Sequence, residues 1–334
     1  MRRIRHRHGT LTVQHVPTPA PGPGELLVRT EAIGVTLPVV RKLAPHGEAA
    51  DGPVDGPVDG PVDEVVDEGD DGAEPEPLGG EVAGVVEAVG PDVAEATGFA
   101  PGDRVTGLCF GDAYSDAALL HTAMASAVPD HATAHDAVAL VRGGLVALGA
   151  LEAAHPRPGE TALVTAAASG AGHLALQLAR LRGGAGHVVA AVGDPAAKGD
   201  FLRALGADAV VGYGDTDWGP PADYALDAVG GALLGPLVRG LTDGGRLVAY
   251  SSGGGTLAAH ELLAGAKSVT GFQIGRVARE RPALYAAWRE ELWRLHAAGE
   301  LRPAVAAAFP LAEAARAHAL IRARGNLGKV VLEP

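Results

Sequence analysis

The sequence lacks the features that mark secreted and membrane proteins. Its single cysteine, Cys109, excludes an internal disulfide and a cysteine-rich zinc site. No apolar run of signal-peptide length follows the basic N-terminus, and no stretch of about 18 apolar residues occurs. We therefore expect a protein of the reducing cytoplasm, neither secreted nor spanning a membrane.

Basic residues are also scarce, and the formal net charge is −13. Eleven of the 40 acidic residues lie between Asp51 and Glu76, where DGPV occurs three times in tandem, which leaves 29 acidic against 27 basic residues elsewhere. A nearly neutral body does not predict a nucleic-acid partner. Residues 51–77 are expected to form a disordered acidic loop, and an acidic partner-binding arm is the alternative.

A chain of 334 residues has material for two buried cores. Residues 26–34 and 81–89 are rich in strand formers and predict a first, mainly β domain. From residue 160 onward, strands alternate with helices, and the count is six: 161–166, 187–192, 209–212, 224–229, 246–250 and 268–272. That alternation predicts a doubly wound parallel sheet of the Rossmann type. The last strand, 329–332, has no place there and is expected to return to the first domain.

The turn after the first of these strands is the candidate dinucleotide site. The fingerprint asks for three glycines, and the corresponding residues run from Ala167 to Gly172, so that only Gly172 is in register and Ser169 replaces the second glycine. The turn nevertheless opens a helix whose N-terminal N–H groups suit a phosphate. A small-residue turn without a ligand is the alternative.

Seven segments together resemble the medium-chain dehydrogenase/reductase superfamily, in its zinc-independent quinone-oxidoreductase branch. These segments are PGPGELLVR (21–29), GGEVAGVVEAVG (79–90), PGDRV (101–105), TAAASGAG (165–172), LGADAVVGY (205–213), DAVGG (227–231) and GKVVL (328–332).

The resemblance implies a GroES-like, mainly β catalytic domain at residues 1–126 and 271–334, around a Rossmann domain at 127–270. It implies a homodimer and no metal, because Gly80 stands where metal-binding relatives place a histidine.

The cofactor choice depends on the end of the second Rossmann strand. Gly193 takes the position of the family's acid, which favours NADPH, whereas the neighbouring Asp194 speaks for NADH. By resemblance, Lys198 and Tyr213 would hold the 2′-phosphate, and a solvated Lys198 is the alternative. The predicted cofactor contacts are Ser169, Gly170, Ala171, Gly172, Gly193, Lys198, Tyr213, Val229, Ser251, Ser252, Phe272, Ile274 and Asn326. For Asn326, an ordinary turn asparagine is the alternative.

The resemblance implies hydride transfer to a small quinone or to an activated C=C bond, as in an enone, and the divergent pocket is compatible with a specialised pathway. The family's usual pocket residues are altered, so Thr36 and Tyr114 are the candidates for substrate contact and His46 is a weaker one. Two alternatives stay open, namely a non-redox step such as cyclisation and a non-catalytic nucleotide-binding protein with the acidic loop as its interface.

Overall fold

A computed structural model describes residues 1–7, 10–43, 74–251 and 254–334, apart from the side chain of Lys42. The chain divides into two compact units. We call Met1–Arg142 together with Val305–Pro334 the β unit, and Gly143–Ala304 the Rossmann unit.

Strands in the described residues are β1 Arg2–Arg7, β2 Thr10–His15, β3 Glu25–Val35, β4 Glu76–Pro77, β5 Gly80–Val89, β6 Arg104–Cys109, β7 Ala117–His121, β8 Ser126–Ala127, β9 Thr161–Thr165, β10 His187–Val192, β11 Ala209–Gly212, β12 Ala222–Asp227, β13 Leu241–Ala249, β14 Ser268–Gly271, β15 Val305–Pro310 and β16 Lys329–Glu333. Helices in the same residues are α1 Leu37–Lys42, α2 Val93–Thr97, α3 Ala134–Ala154, α4 Gly172–Leu181, α5 Pro195–Ala204, α6 Leu234–Arg239, α7 Ala259–Leu263, α8 Ile274–Glu280, α9 Pro282–Ala297 and α10 Ala314–Arg322.

The Rossmann unit is built on the predicted parallel sheet. Its six strands follow the order β11-β10-β9-β12-β13-β14, and every neighbouring pair is parallel. Strands β9, β10 and β12 are nearly continuous runs of buried residues, as expected for a sheet covered on both faces. The strand order reverses between β9 and β12, which is where open sheets of this kind bind their ligands.

In the β unit, the long strand β3 is the centre of a seven-stranded sheet. It pairs with β5, β7 and β16. The prediction that the last strand returns to the first domain is confirmed, because β16 lies antiparallel to β3 with Val331 opposite Gly34. Strands β1, β2 and β4 form a separate three-stranded sheet.

Both predicted domain boundaries, after residues 126 and 270, fall too early. Contacts within each unit place them after Arg142 and after Ala304. The second error has a clear cause, because the chain beyond β14 packs against α3 inside the Rossmann unit. A methyl group on Gly149 of α3 would lie only 2.2 Å from Cζ of Phe272, so this packing depends on the absence of a side chain there.

Helix α3 is long and apolar enough to cross a membrane, with a mean hydropathy of 1.6 in its most apolar window. However, 72% of that window is buried inside the protein. Burial on most sides explains an apolar helix without a membrane.

The acidic segment falls largely outside the described residues, which resume at Glu74. Its end does not belong to a loop, because Glu76 and Pro77 pair with β1 opposite His6 and Arg5. The loop prediction for 51–77 is therefore wrong for these last two residues.

A buried ionic group lies where β3, β5 and β16 meet. The ammonium of Lys329 is 2.8 Å from both carboxylate oxygens of Glu81, and Nη1 of Arg142 donates to Glu81 Oε1 at 3.0 Å. Glu81 is 2% and Lys329 7% exposed. Burial lowers the pKa of Lys329, and the charge of Glu81 opposes that shift. Gly34 makes room for this pair, because a methyl group there would lie 2.6 Å from Cε of Lys329.

Replacing Lys329 by methionine should lower the free energy of unfolding of the protein by roughly 3 kcal/mol, because Glu81 loses one of its two cationic partners while it stays buried. Arg276→Gln is the matched control, since it breaks an exposed ion pair with Glu280 and should leave the free energy of unfolding almost unchanged. Urea unfolding followed by circular dichroism measures both. Equal small effects would contradict this account of the ionic group.

Candidate functional site

The predicted cofactor residues of the Rossmann unit follow the carboxyl ends of its six parallel strands. In sheet order, they are Tyr213 after β11, Gly193 after β10, the turn Ala166–Ala171 after β9, Val229 after β12, Ser251 after β13, and Phe272 after β14. The sheet therefore gathers residues distant in sequence along one edge. That edge is where doubly wound sheets bind nucleotides.

The turn between β9 and α4, Ala166–Ala171, is tightly built. Ala166 has a φ of +45°, a left-handed conformation that costs a non-glycine residue about 1–2 kcal/mol. Ser169 Oγ accepts a hydrogen bond of 3.1 Å from the backbone N–H of Gly172. A methyl group on Gly172 would lie 2.1 Å from the carbonyl oxygen of Ala166. Position 172 therefore requires glycine, in the role that the fingerprint gives its third glycine.

This turn presents hydrogen-bond donors at the start of α4. In the part of the chain that the structure describes, the backbone N–H groups of Gly170 and Ala171 have no protein acceptor. Together with the positive end of the α4 dipole, they form an arrangement suited to a phosphate group. The geometry thus fits the predicted function of Gly170 and Ala171.

A buried polar pair lies at the point where the strand order reverses. Thr165 Oγ1, at the end of β9, donates to Asp227 Oδ1, at the end of β12, over 2.6 Å. The carboxylate also accepts from the N–H groups of Val229 and Gly230, at 3.0 and 2.9 Å. Asp227 is only 1% exposed, so its charge is satisfied by these donors. It fixes the loop that carries Val229, although the sequence analysis gave neither Asp227 nor Thr165 a function.

The residues expected around the 2′-phosphate lie after β10 and β11. A methyl group on Gly193 would find no atom nearer than Cε2 of Tyr213, at 3.9 Å. The phenol oxygen of Tyr213 accepts a 3.0 Å hydrogen bond from the N–H of Ala166. A phenol can donate at the same time, so this contact is compatible with a phosphate ligand. Lys198 is half-buried in α5.

Asp194 has a structural function that bears on the cofactor choice. Its Oδ1 accepts a hydrogen bond of 3.0 Å from the N–H of Ala197 and so caps α5. The carboxylate that directly follows Gly193 in the chain is thereby held by the backbone of its own helix.

At the β13–β14 end of the same edge, the predicted residues make fewer specific contacts that bear on a cofactor. Ser251 is half-buried after β13, and Ser252 lies outside the described residues. The ring of Phe272 packs against α3 at Gly149, and Ile274 is the first residue of α8. Next to Ser251, the hydroxyl of Tyr250 is buried without a protein partner among the described residues. Burial and the charge of Asp227 raise its pKa.

Asn326 and Thr36 belong to the β unit. The side-chain amide of Asn326 donates to the carbonyl of Gly328 at 2.8 Å, as a turn asparagine does. Thr36 is 8% exposed and precedes α1, with its carbonyl accepting from Val39 and Val40. Its hydroxyl makes no capping bond to that helix. Thr36 therefore stays a candidate for substrate contact.

Tyr114 must be removed from the candidate site. Its side chain is 0% exposed in the core of the β unit, and its hydroxyl lies 3.1 Å from Nε2 of His318. Burial, with a smaller effect of the Glu81 charge, raises the pKa of the phenol. A fully enclosed, hydrogen-bonded phenol has no surface for a substrate, so the prediction for Tyr114 is wrong. The weaker candidate His46 lies outside the described residues.

Among the described residues, no group of three or more His, Cys, Asp or Glu side chains is arranged to hold a metal ion. Cys109 is buried, and burial raises the pKa of its thiol to about 11. It is therefore a protonated core residue in this fold.

The strand order, the turn at Gly172 and the donors at the start of α4 define a dinucleotide-binding protein of the Rossmann class with an accompanying β unit. Residues 205–332 match the family model described as zinc-binding dehydrogenase.

Curated relatives and solved structures agree with this class. The chain is 33% identical over 270 residues to a probable quinone oxidoreductase of Schizosaccharomyces pombe, which covers 76% of this chain and 79% of the relative. It is 30% identical to a 2-haloacrylate reductase of Burkholderia, with 96% and 94% covered. A further relative is the spectinabilin polyketide synthase system protein NorB of Streptomyces orinoci, 34% identical over 78% of this chain but only 12% of that protein.

Solved structures cover the entire chain as well, among them two that are described as complexes with NADPH. A mycobacterial protein complexed with NADPH has a TM-score of 0.83 and 28% identity, and all of both chains is covered. The quinone oxidoreductase of Thermus thermophilus, also solved with NADPH, has a TM-score of 0.77 and 26% identity, again with both chains fully covered.

The chain belongs to the medium-chain dehydrogenase/reductase superfamily of oxidoreductases, in its zinc-independent, quinone-oxidoreductase-like branch.

Proposed function

We propose that this protein is an NADPH-dependent reductase of quinones or of activated C=C bonds. The observation that carries the proposal is the carboxyl edge of the Rossmann sheet. There, the turn with the donors of Gly170 and Ala171 lies beside Tyr213, which also faces Gly193, and Lys198 lies in α5, the helix that follows Gly193. Solved relatives that contain NADPH support the same cofactor.

The preference for NADPH over NADH follows from charge. An acid at the end of β10 would bind the ribose hydroxyls of NADH and repel an additional phosphate. Here that position is Gly193, and Asp194 is engaged as the cap of α5. Lys198, with its positive charge, and Tyr213, with its phenol, would then bind the 2′-phosphate.

When bound, NADPH supplies the hydride, so the protein must chiefly bind and orient the reactants. Gly170 and Ala171 would bind the pyrophosphate, and the loop fixed by Asp227 would place Val229 beside the cofactor. Ser251, Ser252, Phe272, Ile274 and Asn326 stay predicted contacts. Thr36 is the proposed substrate contact, its hydroxyl donating a hydrogen bond to the acceptor's carbonyl oxygen.

The names of the relatives favour two classes of acceptor. Quinone oxidoreductase points to a quinone, and 2-haloacrylate reductase to a C=C bond next to a carboxylate. Several polyketide synthase proteins match as well, which supports a specialised metabolic pathway for this small-molecule substrate. A cytoplasmic location is part of the same proposal.

Purified protein should oxidise NADPH when mixed with a panel of quinones, enones and acrylates, measured as the loss of NADPH absorbance. Thr36→Val removes the hydroxyl with little change in shape and should lower kcat/KM about tenfold, since one hydrogen bond to the acceptor is lost. Thr10→Val, exposed on β2, is the control. Absence of turnover with every acceptor would refute the reductase proposal, and a normal rate in Thr36→Val would refute the assignment of Thr36.

Replacing Lys198 by alanine should weaken NADPH binding about tenfold or more and leave NADH binding unchanged, because a charge-assisted contact to the 2′-phosphate is lost. Arg203→Ala removes a positive charge from the same helix and serves as the matched control. Fluorescence titration with both cofactors gives the dissociation constants. The NADPH preference is wrong if the parent protein binds NADH at least as tightly, or if Lys198→Ala and Arg203→Ala behave alike.

A homodimer is also proposed, formed by pairing of two copies along β14. This strand ends the Rossmann sheet, and all four of its residues are exposed. An open edge strand presents unpaired backbone groups and is a template for pairing.

Val269→Lys places a charge in the middle of β14 and should shift the protein from dimer to monomer in light scattering after gel filtration. Val305→Lys is the matched control, because Val305 lies in β15, the edge strand of the other large sheet, and is 38% exposed against 36% for Val269. A monomeric parent protein, or a dimer that persists in Val269→Lys, would contradict pairing through β14.

A further inference from the structure

The imidazole of His173 lies between two backbone segments of the Rossmann unit and is hydrogen-bonded to both. We call these two segments, Ser169 and residues 302–304, the clamp. His173 is the second residue of α4 and is 0% exposed. Its Nδ1 lies 2.9 Å from the carbonyl oxygen of Ser169, in the glycine-poor turn. Its Nε2 lies 2.9 Å from the backbone nitrogen of Ala304, at the end of the unit.

These two partners fix the protonation state of the ring. A carbonyl oxygen can only accept, so Nδ1 must carry a proton. The N–H of Ala304 can only donate, so Nε2 must present its lone pair. Only the neutral Nδ1–H tautomer satisfies both contacts at once.

The bond to Ser169 controls the direction of a whole peptide unit. The carbonyl of Ser169 accepts twice from the same residue, from the His173 backbone N–H at 3.1 Å and from Nδ1. In a trans peptide, the carbonyl of one residue and the N–H of the next point in opposite directions. A carbonyl held toward His173 therefore directs the N–H of Gly170 away from it, out of the turn.

Gln177, one helical turn further along α4, anchors the other side of the clamp. Its amide donates to the carbonyl of Arg302 at 3.0 Å and accepts from the Arg302 N–H at 2.9 Å. Residues 302–304 are thus fixed to α4 by Gln177 as well as by His173. On the side remote from the turn, the imidazole therefore contacts a segment that is itself hydrogen-bonded to α4.

We infer that His173 is a positioning residue for the cofactor site: as the neutral Nδ1–H tautomer, it aims the N–H of Gly170 at the pyrophosphate. The inference rests on the proposed binding of NADPH at this turn. Under this inference, His173 does not touch the cofactor, but it fixes the orientation of the backbone N–H group that does.

Two variants separate the two hydrogen bonds of the ring. His173→Asn carries an amide nitrogen near the position of Nδ1, so it can donate to Ser169 but cannot reach Ala304. His173→Gln carries an amide oxygen near the position of Nε2, so it can accept from Ala304 but loses Ser169. Both variants leave a similar gap in the core, which makes each a control for the other.

Two measurements on the 334-residue chain report on the conformation of the turn. His173→Asn should bind NADPH within about twofold of the parent protein, whereas His173→Gln should bind about fivefold or more weakly, as expected for one lost hydrogen bond. In the protein without cofactor, backbone amides of residues 167–172 should exchange with deuterium faster in His173→Gln than in His173→Asn. Leu151→Ala, which removes a buried side chain of α3 in the same unit, is the stability control, and it should lower Tm while leaving NADPH affinity unchanged.

Equal NADPH affinity and equal exchange in the Asn and Gln variants would overturn the inference, because a residue that only fills the core does not distinguish them. Nitrogen-15 NMR of histidine in the parent protein provides a test without any variant, since a signal of His173 from the Nε2–H tautomer or from imidazolium would also overturn it. Failure of the parent protein to bind NADPH would instead refute the proposed function, and the exchange and NMR results would still decide the function of His173.

Discussion

The close contact between the carbonyl of Ala166 and Gly172 is the constraint on which the cofactor site depends. With only 2.1 Å available to a methyl group, α4 can begin directly against the end of β9 only if residue 172 lacks a side chain. This approach brings the first turn of α4 to the carboxyl edge, beside the point where the strand order reverses. The N–H groups of the turn thereby reach the place where a dinucleotide binds to such sheets.

Sequence reasoning located the Rossmann strands because a parallel sheet covered on both faces requires short, continuous apolar runs, and β9, β10 and β12 consist of them. It missed β1 and β15 for physical reasons. Strand β1 is rich in arginine, a composition that does not indicate a strand. Its Arg3 and Arg5 bind Asp112, more than 100 residues away, and the sequence near β1 does not show this partner. Strand β15 contains three alanines in succession, a residue with weak strand preference that is held there by pairing with β16.

In the candidate site too, some features could be predicted from the sequence and others could not. Residues at strand ends could be predicted, because the strand ends themselves were visible in the sequence. The partners of side chains could not. Nothing near Tyr114 in the sequence indicates that its hydroxyl lies against His318. For Asp194, the one local signal of a helix cap was Pro195 directly after it, because proline is favoured at the first position of a helix.

Ala167 and Ser169 replace two fingerprint glycines, and the left-handed residue of the turn is Ala166, which precedes the fingerprint. The left-handed conformation of Ala166 costs about 1–2 kcal/mol, and its N–H gains a hydrogen bond to Tyr213 that offsets about 1 kcal/mol. Ser169, which stands in place of the second glycine, caps Gly172 with its hydroxyl and gives both lone pairs of its carbonyl to His173. Side chains thus fix a turn that glycines alone leave flexible. Because Tyr213 follows β11 and the ring of His173 is also bound to Ala304, the order of the turn depends on parts of the Rossmann unit outside the turn.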